Sequence, residues 1–345
     1  MSRFDSGGGL LNEGGFTWRD GERTIHLRAQ VIGDASEILA EHGFERFELL
    51  TTERAMGVAP VGLAEDSSCF HHVPPGPVDE VAATLLDGVG GGDLVALGGG
   101  RVIDTAKAIA AVRGGRVAAL PTTLSGAEMT AIHRLPKGQE ALDGLVRPAV
   151  VLADPPVMTT LAEQRLRASA INAIAHGADS LYTPLANPVS ELAALRGAGL
   201  IARALDRKRA ERDPAELALG SILGAYALDS AGFGLHHVVC QTLVRVLRIP
   251  HAETNAALLP LTVEMLLPRA SKQMTALARA LGSKRDELPR RLTELGGGRR
   301  RLSELGAERD LLDEAVKGII ARPELRDTPD VPGEAEIRGL IYAAW

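Results

Sequence analysis

The 345-residue sequence predicts an α/β N-terminal domain followed by an all-α C-terminal domain, and a change of pattern midway along the chain carries that expectation. From about residue 25 to 155, short β-rich runs alternate with helical ones, the order that a parallel sheet with crossover helices requires. After Pro155 and Pro156 the β signal stops, and apolar residues recur at helical spacing to the C-terminus. A chain this long also exceeds what one core usually holds, so the boundary is expected between residues 155 and 156.

The first 15 residues are Gly-rich and expected to be flexible. The strands are expected in FELLTT, DLVALGGG, RVAALPTT and RPAVVLADP, with the helical run VIDTAKAIAAV between the second and third. The second half reads as successive helices in LAEQRLRASAINAIAHGADSLY, ELAALRGAGLIARAL, AELALGSILGAYALDSA, Leu235 to Leu247 and ETNAALLPLTVEML. Shorter helices are expected near 271–282, 308–320 and 333–344.

A net charge of −6 argues against nucleic acid or an anionic membrane as the main partner, since both call for a basic face. The two cysteines, Cys69 and Cys240, are too few for a disulfide framework. The N-terminus lacks the apolar core of a signal peptide, and no stretch approaches the roughly 18 to 20 apolar residues that span a bilayer. A cytoplasmic protein acting on a small molecule is the expectation.

Two loops point to a nucleotide. Gly98, Gly99 and Gly100 form a turn between a buried strand and a helix, where missing side chains let backbone N–H groups approach a pyrophosphate at a helix N-terminus. The turn is not G-x-G-x-x-G, so the ordinary dinucleotide fingerprint is absent. In ALPTTLSGAEMT, Thr122, Thr123 and Ser125 offer hydroxyls at the end of another strand, where open α/β sheets bind ligands. Asp104 and Lys107 occupy the first turns of the glycine-loop helix, where the lysine either reaches a phosphate or pairs with the aspartate.

A second constellation lies in the helical half. Asn172 and His176 are four residues apart, on one face of a helix, while His237 and His251 bracket another helical run. Three imidazoles with a carboxylate would suit a divalent metal, but a neutral amide brings no charge to the ion. Of the adjacent His236 and His237, only one can face such a pocket. Cys240 is expected to be a packed thiol.

These residues resemble the iron-containing alcohol dehydrogenase superfamily, whose helix start G-G-G-S-x-x-D-x-A-K reads here as GGGRVIDTAK. Within it the chain is most similar to the maleylacetate reductases, on PTTLSGAEMT, SAINAIAHGADSLY followed by ANP, GLHHVVC and PHAET, with Asn172 where metal-dependent members carry Asp. The match runs from about Phe44 to Trp345. The resemblance implies a dehydroquinate synthase-like fold, with a dinucleotide-binding domain over 1–155, a helical catalytic domain over 156–345 and a cleft between them. It implies a homodimer, and NADH or NADPH held by Thr52, Gly98, Gly99, Gly100, Arg101, Asp104, Lys107, Thr122, Thr123 and Ser125. Thr52 matches a position that in many relatives is an Asp reading the adenosine ribose, so a 2′-phosphate is not repelled there.

Three departures stand out: Arg101 replaces the usual Ser, Gln241 replaces a His four residues after His237, and the first 45 residues lack the F-G-x-G hairpin signature. The reaction expected is reduction of an unsaturated oxo acid by hydride transfer, with no tightly bound metal. Protonated His237 or His251 serves as acid, beside Asn172 and His176. Clustered imidazoles are expected to lower one another's proton affinity. One alternative is a metal-dependent alcohol dehydrogenase acting on a small alcohol or aldehyde, with His176, His237 and His251 as ligands. The other is a binding or non-redox paralogue.

Overall fold

The computed structural model describes residues 16–60, 62–139 and 144–345, with 16–20 described by their backbone alone. The Gly-rich segment expected to be flexible lies outside them. The chain forms two compact units, one of residues 1–160 with 213–218, the other of 161–212 with 219–345.

The first unit is built on a seven-stranded sheet of order β1-β2-β7-β6-β5-β3-β4. Its strands are β1 (Phe16–Asp20), β2 (Arg23–Leu27), β3 (Phe47–Thr51), β4 (Cys69–His72), β5 (Asp93–Gly98), β6 (Val117–Pro121) and β7 (Val150–Ala153). The helices are α1 (Ala35–Glu41), α2 (Glu53–Met56), α3 (Leu63–Asp66), α4 (Val78–Leu85), α5 (Gly100–Arg113) and α6 (Pro155–Met158). All pairings are parallel except β1 with β2. Two apolar clusters hold the sheet: one contains Leu49, Val95 and Leu120, the other Leu50, Ala96 and Ala119. Alternate residues of the same central strands thus feed opposite layers, as burial on both faces demands.

All four expected strands form, and three more appear. The β1–β2 hairpin exists although its family signature is absent: Asp20 pairs with Arg23, and Gly21 supplies the positive φ of 63° at the two-residue turn. The edge strand β4 carries largely exposed residues with Phe70 the one large apolar side chain in it, so no apolar run announces it.

The second unit is helical: α7 (Glu163–Ser180), α8 (Pro188–Asp206), α9 (Pro214–Ala231, its first turn counted with the first unit), α10 (Leu235–Leu247), α11 (His251–Arg269), α12 (Ser271–Ala280), α13 (Leu288–Leu295), α14 (Leu312–Ile320) and α15 (Glu334–Ala344). Sequence periodicity anticipates every one but α13. Glycine sets the close approach of α9 to α7: a Cβ on Gly224 would lie 2.5 Å from the Ala173 carbonyl oxygen. That contact fixes the stretch of α7 between Asn172 and His176. Among the described residues no single helix is long and apolar enough to cross a membrane; α9 and α10 pass together by composition, but bend by 100°.

Candidate active site

In the first unit, Gly98 ends β5, Gly99 caps α5 and Gly100 begins it. A Cβ on Gly99 would meet Thr123 at 3.1 Å, and one on Gly100 would meet Ser125 at 3.0 Å. The two loops read separately from sequence are therefore in contact, tied also by the Thr122 amide donating to the Gly98 carbonyl at 2.9 Å. The Thr123 hydroxyl oxygen is buried with no hydrogen-bond partner among the described residues. Arg101 is exposed on the first turn of α5.

Two residues of the expected nucleotide set have structural work. Lys107 is fully buried, and its ammonium donates to Asp104 Oδ1 at 2.8 Å, the Ala127 carbonyl at 3.1 Å and the Ile132 carbonyl at 2.8 Å. Three donors meet three acceptors, so nothing is left for a phosphate. Of the two alternatives read from sequence, the structure shows the aspartate pairing, with Lys107 clamping the segment after β6 against α5 and occupying one oxygen of Asp104. Thr52 caps α2, its hydroxyl accepting from the Ala55 amide at 3.2 Å. Sequence reasoning passed over Glu128, which is fully buried with no hydrogen-bond partner for either oxygen among the described residues. Desolvation pushes its carboxyl up to about 7.

In the second unit, α7 brings Asn172 and His176 onto one face as expected, with the Asn172 side-chain nitrogen 3.4 Å from His176 Nε2. The His176 and His237 rings stack with centroids 5.0 Å apart. His251, the first residue of α11, is exposed, yet its charge would act on both His176 and His237. The structure brings all four residues into one neighbourhood. His236 takes the other role: neutral, it donates from Nε2 to Asn255 Oδ1 at 2.6 Å and accepts at Nδ1 from Thr262 Oγ1 at 2.9 Å. Its two partners make it a satisfied core residue. Cys240 is buried, and desolvation with the nearby Asp179 charge pushes its thiol up, so it is no nucleophile. The Gln241 side chain accepts from Arg322 at 3.3 Å.

The residue that organises this site is Asp179, which sequence reasoning missed. It is fully buried, and its carboxylate accepts from the Gly234, His236 and His237 amides at 3.2, 3.3 and 3.0 Å, from His237 Nδ1 at 2.8 Å and from the Tyr182 hydroxyl. It thus caps α10 from α7, placing an anion where the helix N-terminus leaves amides unpaired. A Cβ on Gly234 would lie 2.6 Å from the Tyr182 ring, so glycine permits that approach. Burial pushes the Asp179 carboxyl up, but the hydrogen bond and charge of His237 outweigh it and hold the group well below the usual carboxylate range. The signal was present in the sequence: Asp179 follows His176 by three and Asn172 by seven, on the same helix face.

Because His237 donates from Nδ1, its Nε2 is the nitrogen left over, and that atom is buried with no hydrogen-bond partner among the described residues. The same holds for His176 Nδ1. Burial is the larger cause that lowers the proton affinity of His176 and His236, and the neighbouring imidazoles lower it further, as expected of a cluster.

A seven-stranded, mostly parallel nucleotide-type sheet joined in sequence to a helical unit with a buried imidazole cluster defines the iron-containing alcohol dehydrogenase fold, and the chain belongs to that family. Residues 167–345 match the profile "Fe-containing alcohol dehydrogenase family, C-terminal". More particularly, the chain is 34% identical over 291 residues to a maleylacetate reductase of Burkholderia cepacia, covering 81% of this chain and 79% of that protein. It is 31% identical to one from Sphingobium indicum, over 78% of each. The crystal structure of maleylacetate reductase from a Rhizobium species superposes with a TM-score of 0.80 at 28% identity, over 96% of this chain and 97% of that one. The Agrobacterium tumefaciens enzyme superposes with a TM-score of 0.78 at 27% identity, over 100% and 99%. The protein is an oxidoreductase of this NAD(P)-dependent family.

Proposed function

We propose that the protein reduces maleylacetate or a closely similar unsaturated oxo acid with NADH or NADPH. The geometry that carries this reading is the Asp179–His237 pair, which engages Nδ1 of the imidazole while its Nε2 is buried with no hydrogen-bond partner among the described residues. The nucleotide is held by the turn Gly98–Gly100 and the N-terminus of α5, with Thr123, Ser125, Thr122, Arg101 and Thr52 around it. Hydride passes to the carbon conjugated with the substrate carbonyl, and the electron pair of the C=C bond moves onto oxygen as an enolate. In its imidazolium form, with the Nδ1 proton kept in the hydrogen bond to Asp179, His237 gives the Nε2 proton to that oxygen and takes another from solvent afterwards, and rearrangement of the enol leaves the saturated product. One hydride and one proton are consumed. His176 and His251 have lowered proton affinity and stay neutral near pH 7, so they serve as hydrogen-bonding groups, as does the Asn172 amide.

The family's name implies iron, and the donors of this site do not suit a tightly held ion. Asn172 stands where a carboxylate would bring charge, and the one carboxylate at hand, Asp179, spends its oxygens on five donors. The reaction is therefore written without an ion. We further propose a homodimer, by likeness to the family. The test is oxidation of each nucleotide, followed by absorbance, with maleylacetate and with simple aldehydes. The proposal expects turnover on the oxo acid at least about 100-fold above that on any aldehyde, as a site built for polar groups rejects substrates lacking them. The reverse preference overturns it.

A further inference from the structure

We propose that Glu48, Cys69 and His71 form a binding site for a zinc-class divalent cation at the edge of the first unit's sheet. Strands β3 and β4 run parallel with Glu48 opposite Cys69 and Leu50 opposite His71. Side chains two apart share a face, so carboxylate, thiol and imidazole all emerge on one side of the sheet. One ligand atom from each lies within 4.8 Å of the others.

The carboxylate is held in place from behind. Glu48 Oε1 accepts from the Gly90 amide at 2.8 Å, while Oε2 is 2.5 Å from His71 Nε2. A Cβ at position 90 would lie 2.6 Å from Oε1, so a larger residue there would have to displace the carboxylate. A ligand oriented by a second hydrogen bond is how metal sites are built. The side chains of His71 and Glu48 are only 10% and 14% exposed, whereas Cys69 is open to solvent, which leaves a path for the ion and for a water as fourth ligand.

The chemistry selects the ion. Thiolate, imidazole and carboxylate together favour zinc-class ions over magnesium or calcium, and their two negative charges balance a divalent cation. On binding, the Cys69 thiol gives its proton to solvent, and the ion takes the place of the proton shared by His71 and Glu48. β4 is the last strand of the sheet and pairs only with β3, so the ion would staple that edge. Glu48 and Cys69 are in register with Leu94, near the start of β5, whereas Gly98 closes that strand, so these two ligands lie toward the other end of the strands from the glycine turn. The role is structural, independent of the reductase reaction.

The experiment is cobalt titration of the purified, reduced full-length protein. The expected result is a thiolate-to-cobalt charge-transfer band saturating at one equivalent, displaced by zinc, and lost in both Cys69→Ser and His71→Ala. Zinc should also raise the unfolding midpoint of the wild type and leave that of Cys69→Ser unmoved, with reductase turnover unchanged in both. Cobalt bound at the imidazole cluster would give no thiolate band, and the other cysteine, Cys240, is buried. Absence of the band, or its persistence in Cys69→Ser, overturns the proposal.

Discussion

The two units each bury a fully hydrogen-bonded charge on a motif helix, and the partners of the two charges differ. In the first, Lys107 of α5 is surrounded by three acceptors that use every proton it has. In the second, Asp179 of α7 holds one nitrogen of His237 and leaves the other, Nε2, buried without a partner among the described residues. Leaving a buried polar atom unpaired costs about 1–3 kcal/mol, so its persistence marks a place meant for something else. Both charges are fully satisfied, but the acceptors around Lys107 belong to the frame, whereas the imidazole held by Asp179 keeps one nitrogen available for chemistry.

That contrast can be broken at either end. The largest effect is expected at Asp179. Asp179→Asn should lower kcat by about 10²–10⁴-fold with a smaller change in KM, because His237 loses the partner that fixes its tautomer and its acid role. Unaltered steady-state kinetics would remove Asp179 from the account. Lys107→Met should destabilise the first unit by about 3–5 kcal/mol, since Asp104 and two carbonyls lose their donor. Chemical denaturation reads this directly, and an unmoved midpoint joined to a large loss of nucleotide affinity would restore Lys107 as a phosphate ligand.

Glu128 sharpens the comparison, being the buried charge of the first unit that has no hydrogen-bond partner among the described residues. Its carboxyl is raised from 4.5 to about 7 in the folded state. Between those values the folded chain keeps a proton that the unfolded chain has released, so stability falls as pH rises through the window, by about 3 kcal/mol in all. Glu128→Gln should flatten that slope and gain most above pH 7. Parallel pH–stability curves for the two proteins would show that the residue does not titrate there. The smallest effect is at Thr52: Thr52→Ala should cost about 1 kcal/mol as a lost helix cap. Its ratio of NADH to NADPH affinity should move only if the hydroxyl also meets the ribose, which isothermal titration distinguishes.

Most of the fold was legible because it rests on periodicity. Buried central strands read as unbroken apolar runs, and the helices of the second unit keep their apolar spacing across Pro260. β4 was hidden because an edge strand buries little, and the β1–β2 hairpin because its family signature is absent and Gly21 alone marks the two-residue turn. In the site, Asn172 and His176 were legible from i, i+4 spacing, and the stacking of His176 on His237 follows from their helices packing together. The role of Lys107 was not, since two of its acceptors lie 20 and 25 residues further on. Asp179 was overlooked because its partners sit at the start of another helix, 55 to 58 residues away.

The central claim is that His237, oriented by Asp179, supplies the proton without help from a bound ion. Its most direct measurement is kcat on maleylacetate before and after exhaustive chelation, with the metal content of the same samples determined in parallel. The account predicts equal turnover in both, with His237→Ala lowering kcat by about 10²–10⁴-fold. Turnover that falls in step with metal removal and returns on adding iron or zinc would contradict it.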